Sequence, residues 1–202
     1  IKLHINLSNF KLRHICVFSI KKLMESKENI VFLGMMGSGK SIIGLLISKK
    51  LNLQFYDIDQ IIEKELEMSI SDIFEKKGEK FFREFEEKIT LRVLKKKETV
   101  ISLGGGAYMN KKIREEIKKN HFSFWLNWNS KTLVKRIQNN TKRPIAIKSS
   151  TSELLDLIKR RSKVYSNSKY KINCEQLSKN EIVNKIIDIY ENNKIISKNK
   201  SF

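Results

Sequence analysis

The stretch Gly34 to Ser41 constrains this chain more than any other, because GMMGSGKS fits the pattern G-x-x-x-x-G-K-[ST] with an apolar run before it and a helical pattern after it. Ile30, Val31, Phe32 and Leu33 are β-branched, aromatic or aliphatic, and read as a buried strand that delivers the loop at its carboxyl end. Gly34, Gly37 and Gly39 let backbone N–H groups face an anion without interference from Cβ. From Ser41 onward, Ile42, Ile43, Leu45, Leu46, Ile47 and Leu51 keep a helical spacing. The helix N-terminus then turns its partial positive charge toward the same anion. In this pattern Lys40 reaches the β- and γ-phosphates and the Ser41 hydroxyl ligates Mg²⁺. The loop predicts a nucleotide-phosphate site and leaves the phosphoryl acceptor open.

A chain of 202 residues holds one domain with a substantial core. With 41 Lys and Arg against 22 Asp and Glu, the formal charge of +19 suits nucleic acid, a membrane surface or a small polyanion, and does not choose among them. The basic residues are spread along helices without the interleaved aromatics of a single-strand binding face, so no nucleic-acid partner is expected. No run of about eighteen apolar residues is present, so no membrane span is expected. Cys16 and Cys174 are too few and too far apart for a zinc site or a disulfide framework, which fits a reducing, cytoplasmic setting. His4, His14 and His121 form no metal-like spacing and read as surface or satisfied structural histidines. Residues 1–26 read as a poorly ordered extension. Translation is expected to start at Met24, and the alternative is a basic, acid-poor targeting leader.

Along the chain, Leu53 to Tyr56 lead into Asp57, Ile58 and Asp59, a short second strand whose alternation puts both carboxylates on one side. One of the two could instead cap the helix Gln60 to Leu66. Two helices meeting at Gly78 follow, with Ser71 as the N-cap of the first and Phe81, Phe82, Phe85, Ile89 and Leu94 as the apolar face of the second. Arg83, at the edge of that face, either pairs with Glu79 four residues earlier or turns to a pocket and binds an anion. A buried strand, Thr99 to Leu103, runs into Gly104, Gly105 and Gly106, a triplet that points to close approach of backbone to a ligand. Then come a helix Lys111 to Lys119, a strand Phe122 to Leu126 and a helix from a Ser130 cap to Gln138. A loop at 139–152 holds Arg143 and the only proline, Pro144, and reads as mobile, with Arg143 either a solvated charge or the arginine of a lid that excludes water. A helix Glu153 to Tyr165, a strand Lys171 to Cys174, a helix Glu181 to Tyr190 and a frayed tail from 193 complete the reading.

GMMGSGKS, DID at Asp57 to Asp59, SISDIFEKKGEKFFREFE, SLGGGA, KRP and RRSKVY occur in this order, and the chain from Asn29 to Tyr190 resembles the shikimate kinases. These belong to the nucleoside-monophosphate-kinase-like branch of the P-loop kinases. The resemblance implies an α/β, three-layer fold with a five-stranded parallel sheet of order 2-3-1-4-5 and helices on both faces, over residues 27–192. It implies ATP-dependent phosphorylation of the shikimate 3-hydroxyl, with ATP and Mg²⁺ as cofactors.

In that frame Gly37, Ser38, Gly39, Lys40, Ser41 and Ile42 hold the nucleotide, Arg136 lies against adenine, and Ser41 and Asp57 serve the metal. Asp59 is the base or orienting acceptor at the hydroxyl. Arg83 and Arg161 clasp the carboxylate, with Gly104, Gly105 and Gly106 supplying backbone contacts. Arg143 neutralises the moving phosphoryl group, so Lys40, Asp59 and Arg143 form the expected catalytic set. The spacing to Tyr165 leaves Arg160 as an alternative to Arg161. Ile42 and Ile145 depart from the family's usual Thr and Leu. A monomer is expected. The rival readings are a related small-molecule kinase such as one for gluconate, a nucleic-acid-binding P-loop protein and a non-catalytic binding module.

Overall fold

The structure, a computed structural model, describes residues 28–139 and 149–199. The expected extension 1–26, Cys16 and the lid residues Arg143, Pro144 and Ile145 lie outside the described residues. Five strands form the centre, β1 (Ile30–Leu33), β2 (Gln54–Asp57), β3 (Thr99–Ser102), β4 (Phe122–Asn127) and β5 (Tyr170–Asn173). They pair in parallel in the order β2-β3-β1-β4-β5, as expected from the sequence. Every residue of β1 and β3 is buried. Strands covered on both faces read as continuous apolar runs, which is why IVFL shows no polar alternation.

Alternating side chains sort into two cores. Val31, Leu33, Ile101, Leu103 and Trp125 enter one, and Ile30, Phe32, Val100, Phe124 and Leu126 enter the other. The second is covered by α1 (Lys40–Leu51) and α7 (Lys179–Asn199) through Ile43, Ile47, Val183 and Ile186. The first is covered by α2 (Ile58–Leu66), α3 (Ile70–Leu94), α4 (Lys111–Asn120), α5 (Ser130–Gln138) and α6 (Thr151–Tyr165). The result is a three-layer sandwich.

Several boundaries differ from the sequence expectation, and the caps explain them. The first run of α3 starts on Ser69, whose hydroxyl accepts from Asp72 N–H at 3.1 Å and donates to the Asp72 carboxylate at 2.6 Å, so the expected cap Ser71 lies inside the helix. Asn129 rather than Ser130 caps α5, accepting from Lys131 N–H at 2.9 Å. Ser150 and Glu153 form a reciprocal capping box at the head of α6. The closing helix runs to Asn199, past the Tyr190 end and through the tail expected to fray. Gly78 breaks α3 with φ 79° and ψ 166°, so the two expected helices do meet there.

A buried polar knot fastens the sheet edge opposite the loop. The Asn29 amide donates to the carbonyls of Leu94 at 3.0 Å and Lys96 at 2.8 Å, and its oxygen accepts from the N–H and hydroxyl of Thr99 at 3.1 and 3.0 Å. One side chain thus holds the end of α3 and the start of β3 against β1. Asn29→Ala strands these groups and is expected to lower the unfolding free energy by about 2–4 kcal/mol, read as a lower urea midpoint at unchanged m-value.

The Asn29 N–H donates to His121 Nδ1 at 3.2 Å, and His121 is buried, a structural histidine as expected. Burial holds its pKa below 6.5, partly offset by Glu116. Between that lowered value and 6.5 the unfolded chain binds more protons than the native one, so stability rises with pH through this window. Titrating from pH 7 to 5 should cost wild type more stability than His121→Gln, and equal urea-midpoint slopes for the two would refute the assignment.

Candidate active site

Gly34 to Ser41 joins β1 to α1 at the middle of the sheet, where the strand order passes from β3 on one side of β1 to β4 on the other. Ligands of open parallel sheets bind at such a point, beyond the strand carboxyl ends. Gly37 and Gly39 have φ of 77° and 87°, a region L side chains rarely adopt. Gly39 is the N-cap of α1, without a side-chain cap and without an acidic residue in the first turn. The helix end therefore presents bare N–H groups and an uncompensated dipole. Lys40 folds over the loop and donates to the Gly34 and Met35 carbonyls at 2.9 Å each.

Asp57 ends β2, is buried, and caps α2 by accepting from the N–H groups of Asp59 at 3.1 Å and Gln60 at 3.3 Å. The chain is already helical at Ile58. Asp57 and Asp59 therefore do not share one face of an extended strand, because Asp59 turns away in the first helical turn. The cap is Asp57, which is the reason the strand stops two residues earlier than expected.

Asp59 shares a pocket with Met36, Phe74, Arg83, Glu86 and Arg161. Arg83 makes the expected pair with Glu79 at 3.1 Å, yet it also lines the pocket and donates to Glu86 at 2.7 Å. The ion pair with Glu79 and a pocket-facing position thus occur together. The rings of Phe82 and Phe74 lie 5.1 and 5.7 Å from its guanidinium. Arg161 is buried, and among the described residues no carboxylate lies within ion-pair distance of it. Its guanidinium donates to the Met35 thioether at 3.8 Å. Arg160 is exposed, so the one-residue ambiguity falls to Arg161.

The glycine triplet explains itself through these side chains. A Cβ on Gly104 would meet a Glu86 oxygen at 2.4 Å and an Asp59 oxygen at 2.8 Å, and one on Gly106 would meet the Arg83 guanidinium at 2.4 Å. None of the three has positive φ among the described residues. Gly104 and Gly106 make room for charged groups that face the pocket, while a Cβ on Gly105 would first meet the Met36 backbone nitrogen at 3.3 Å.

Electrostatics divide the pocket. Burial raises the Glu86 pKa, Arg83 opposes that, and Asp59 adds to it. Burial works against the Arg83 charge, but Glu86 and Glu79 outweigh it and hold that pKa above its ordinary value. Arg161 goes the other way, lowered by burial first and further by Arg83. One guanidinium is paired with carboxylates, and the other makes no ion pair among the described residues.

Sequence reasoning missed Glu86, Met35, Tyr165 and Trp128. Glu86 had a signal, since Phe82, Glu86, Ile89 and Val93 follow one stripe of α3 and a carboxylate inside an apolar stripe has to be paired. Tyr165 donates to the Gly105 carbonyl, and burial pushes its phenol up to about 12. On the far side of the loop, Gly37, Ser38, Ile42, Trp128 and Arg136 line a second cleft of about 450 Å³.

A parallel sheet in this order, with a phosphate loop leaving its central strand and two clefts flanking that loop, defines a P-loop phosphotransferase. The shikimate kinase profile matches residues 36–191. The chain is 37% identical over 184 residues to the shikimate kinase of Bartonella quintana, covering 89% of this chain and 88% of that one. It is 38% identical over 160 residues to that of Persephonella marina, covering 79% and 97%. The structure of the Acinetobacter baumannii enzyme in complex with shikimate superposes with a TM-score of 0.79 at 30% identity, over 86% of this chain and 98% of that one. The Aquifex aeolicus enzyme gives 0.74 at 33% identity, over 82% and 97%. The chain belongs to the shikimate kinase family.

Gly106→Ala should drive Arg83 out of its slot and raise the KM for the phosphoryl acceptor by about tenfold, a loss of one good charge-assisted contact, with nucleotide KM nearly unchanged. Gly105→Ala, whose Cβ would lie 3.3 Å from Met36 N, should be milder. Equal rises in both KM values would show a general defect instead.

Proposed function

We propose that the chain transfers the γ-phosphoryl group of ATP to the 3-hydroxyl of shikimate, giving shikimate 3-phosphate and ADP. The observation that carries the reading is the convergence of Arg161, buried without a carboxylate partner among the described residues, with Arg83 and Asp59 in one pocket beside the phosphate loop. Two guanidiniums suit a carboxylate and a nearby carboxylate suits a hydroxyl, which is the chemistry of a hydroxylated carboxylic acid. The Acinetobacter relative was solved with shikimate.

The loop N–H groups, Lys40 and Ser41 hold the nucleotide phosphates, with Gly37, Ser38, Gly39 and Ile42 on their flank and Arg136 toward the base. Arg83 and Arg161 take the shikimate carboxylate, which fixes the ring so that its hydroxyl meets the γ-phosphorus in line. Asp59 accepts the hydroxyl hydrogen bond and receives the proton as the new O–P bond forms. The bond to the β,γ-bridging oxygen breaks and ADP leaves with its electron pair. Positioning and cations around the moving group supply the acceleration, and no covalent intermediate is required. Arg143 is assigned to the transferring group by the resemblance alone.

The donor chemistry fits Mg²⁺. Ser41 and Asp57 offer oxygen atoms, and among the described residues no cluster of three or more His, Cys, Asp or Glu forms a dedicated cage. Mg²⁺ is normally held by one or two such groups together with phosphates and water, and it would neutralise charge between the phosphates. The reading includes a cytoplasmic monomer without nucleic-acid partners. Among the described residues no helix is long and apolar enough to cross a membrane.

A coupled assay of ADP release tests this. Release should require both shikimate and Mg²⁺ and stay at background with gluconate or no acceptor. Release indifferent to shikimate overturns the reading, and turnover of gluconate in its place favours the related-kinase alternative.

A further inference from the structure

The second cleft carries an arrangement that the family resemblance does not assign. Trp128 follows β4 directly, and its indole Nε1–H donates to the Ser38 carbonyl at 3.0 Å, inside the phosphate loop. The Arg136 guanidinium, in the last turn of α5, lies 3.7 Å from the centre of the same ring system. Arg136 is exposed, so one face of its plane rests on the indole and the other is open to solvent. The Arg136 Cβ also lies 3.4 Å from where a Cβ on Gly37 would stand, so that glycine admits the arginine against the loop. Ring, cation and loop form one unit.

The described lining of the cleft is Gly37, Ser38, Gly39 and Lys179 with apolar side chains, Trp128 and Arg136, and it holds no carboxylate or amide side chain. Such a wall has little with which to read the hydrogen-bonding edge of a base, and much with which to stack on its face. A guanidinium held flat by an indole offers a preorganised platform for an aromatic ring, with no rotamer entropy left to lose on binding.

We propose that Trp128 is a positioning residue for the nucleotide base. It fixes the Arg136 plane, ties that plane to the phosphate loop through Ser38, and makes base selection depend on stacking area rather than edge recognition. Purines are favoured over pyrimidines, and adenine is only weakly favoured over guanine. The inference rests on the kinase reading for its nucleotide, and on geometry for the residue.

Steady-state kinetics with ATP, GTP and CTP at saturating shikimate, on wild type, Trp128→Phe, Trp128→Leu and Trp128→Ala, test it. Trp128→Ala should raise KM for ATP about tenfold, the range of a lost cation–π support, and leave KM for shikimate within about twofold. Trp128→Phe should recover most of the loss and Trp128→Leu should not. GTP should serve nearly as well as ATP, and CTP poorly. An unchanged ATP KM in Trp128→Ala overturns the proposal, as does a parallel rise in both KM values, a Leu variant equal to Phe, or GTP rejected as strongly as CTP. Quenching of indole emission by ADP, lost in Trp128→Phe, reads the same contact with no acceptor present. Failure of shikimate turnover therefore sinks the kinase reading without touching this one, and an absent quench does the reverse.

Discussion

A guanidinium taken out of water requires an anion, and the acceptor side of this protein is built around that requirement. Arg161 is only 8% exposed. Its guanidinium donates to the Met35 thioether, and burial pulls its pKa down, outweighing Glu86, which favours its charge only through space. Burying an unpaired charge costs several kcal/mol, so the arrangement persists only where the surrounding packing imposes it. The packing does so from several sides. Tyr165, one turn further along α6, anchors to the Gly105 carbonyl, and Met35 presents its sulfur to both side chains. The glycines remove every Cβ that would occupy the space.

Arg83 solves the same problem differently. Glu86 and Glu79 hold it, so its charge is compensated without ligand while its remaining donors face the pocket. The pair of arginines is therefore unequal. Arg83 is held by two carboxylates in the folded chain, and Arg161 makes no such pair among the described residues. Glu86 turns this into a balance, because burial and Asp59 raise its pKa while Arg83 and then Arg161 pull it down. Removing Arg83 leaves Glu86 buried without its ion-pair partner, whereas removing Glu86 leaves Arg83 its pair with Glu79.

The sheet was legible in the sequence because parallel strands buried on both faces read as largely apolar runs, as IVFL and FSFWL do, while TVIS buries a Thr and a Ser beside Val100 and Ile101. The order of those strands came from the family resemblance, since no local pattern encodes which strand lies beside which. Helix boundaries were less legible. SISD contains two serines that could cap, and only the reciprocal bond from Ser69 to Asp72 decides between them. At Asp57 the ambiguity was between alternation and capping, and the cap won because two backbone N–H groups at the start of α2 needed an acceptor. The charged residues of the site were found wherever they sat in a recognisable motif. Glu86 and Trp128 were not found: Glu86 pairs only three residues back with Arg83 and was passed over on the helix, while Trp128 acts through a long-range partner. The Glu86 stripe position carried a readable hint, while the Trp128 contact with Ser38 spans the chain from the end of one strand to the loop of another.

The loop itself connects the two clefts more tightly than its motif suggests. Within three residues it offers the Gly34 and Met35 carbonyls to Lys40, the Met35 sulfur to Arg161 and, a little further on, the Ser38 carbonyl to Trp128. Met35 therefore stands between Lys40, which binds its carbonyl, and Arg161, which touches its sulfur, so a single short segment contributes to both walls. The sequence GMMGSGKS specifies phosphate binding through its glycines, Lys40 and Ser41. Its two methionines, silent in the motif, are where the phosphate site and the acceptor pocket meet.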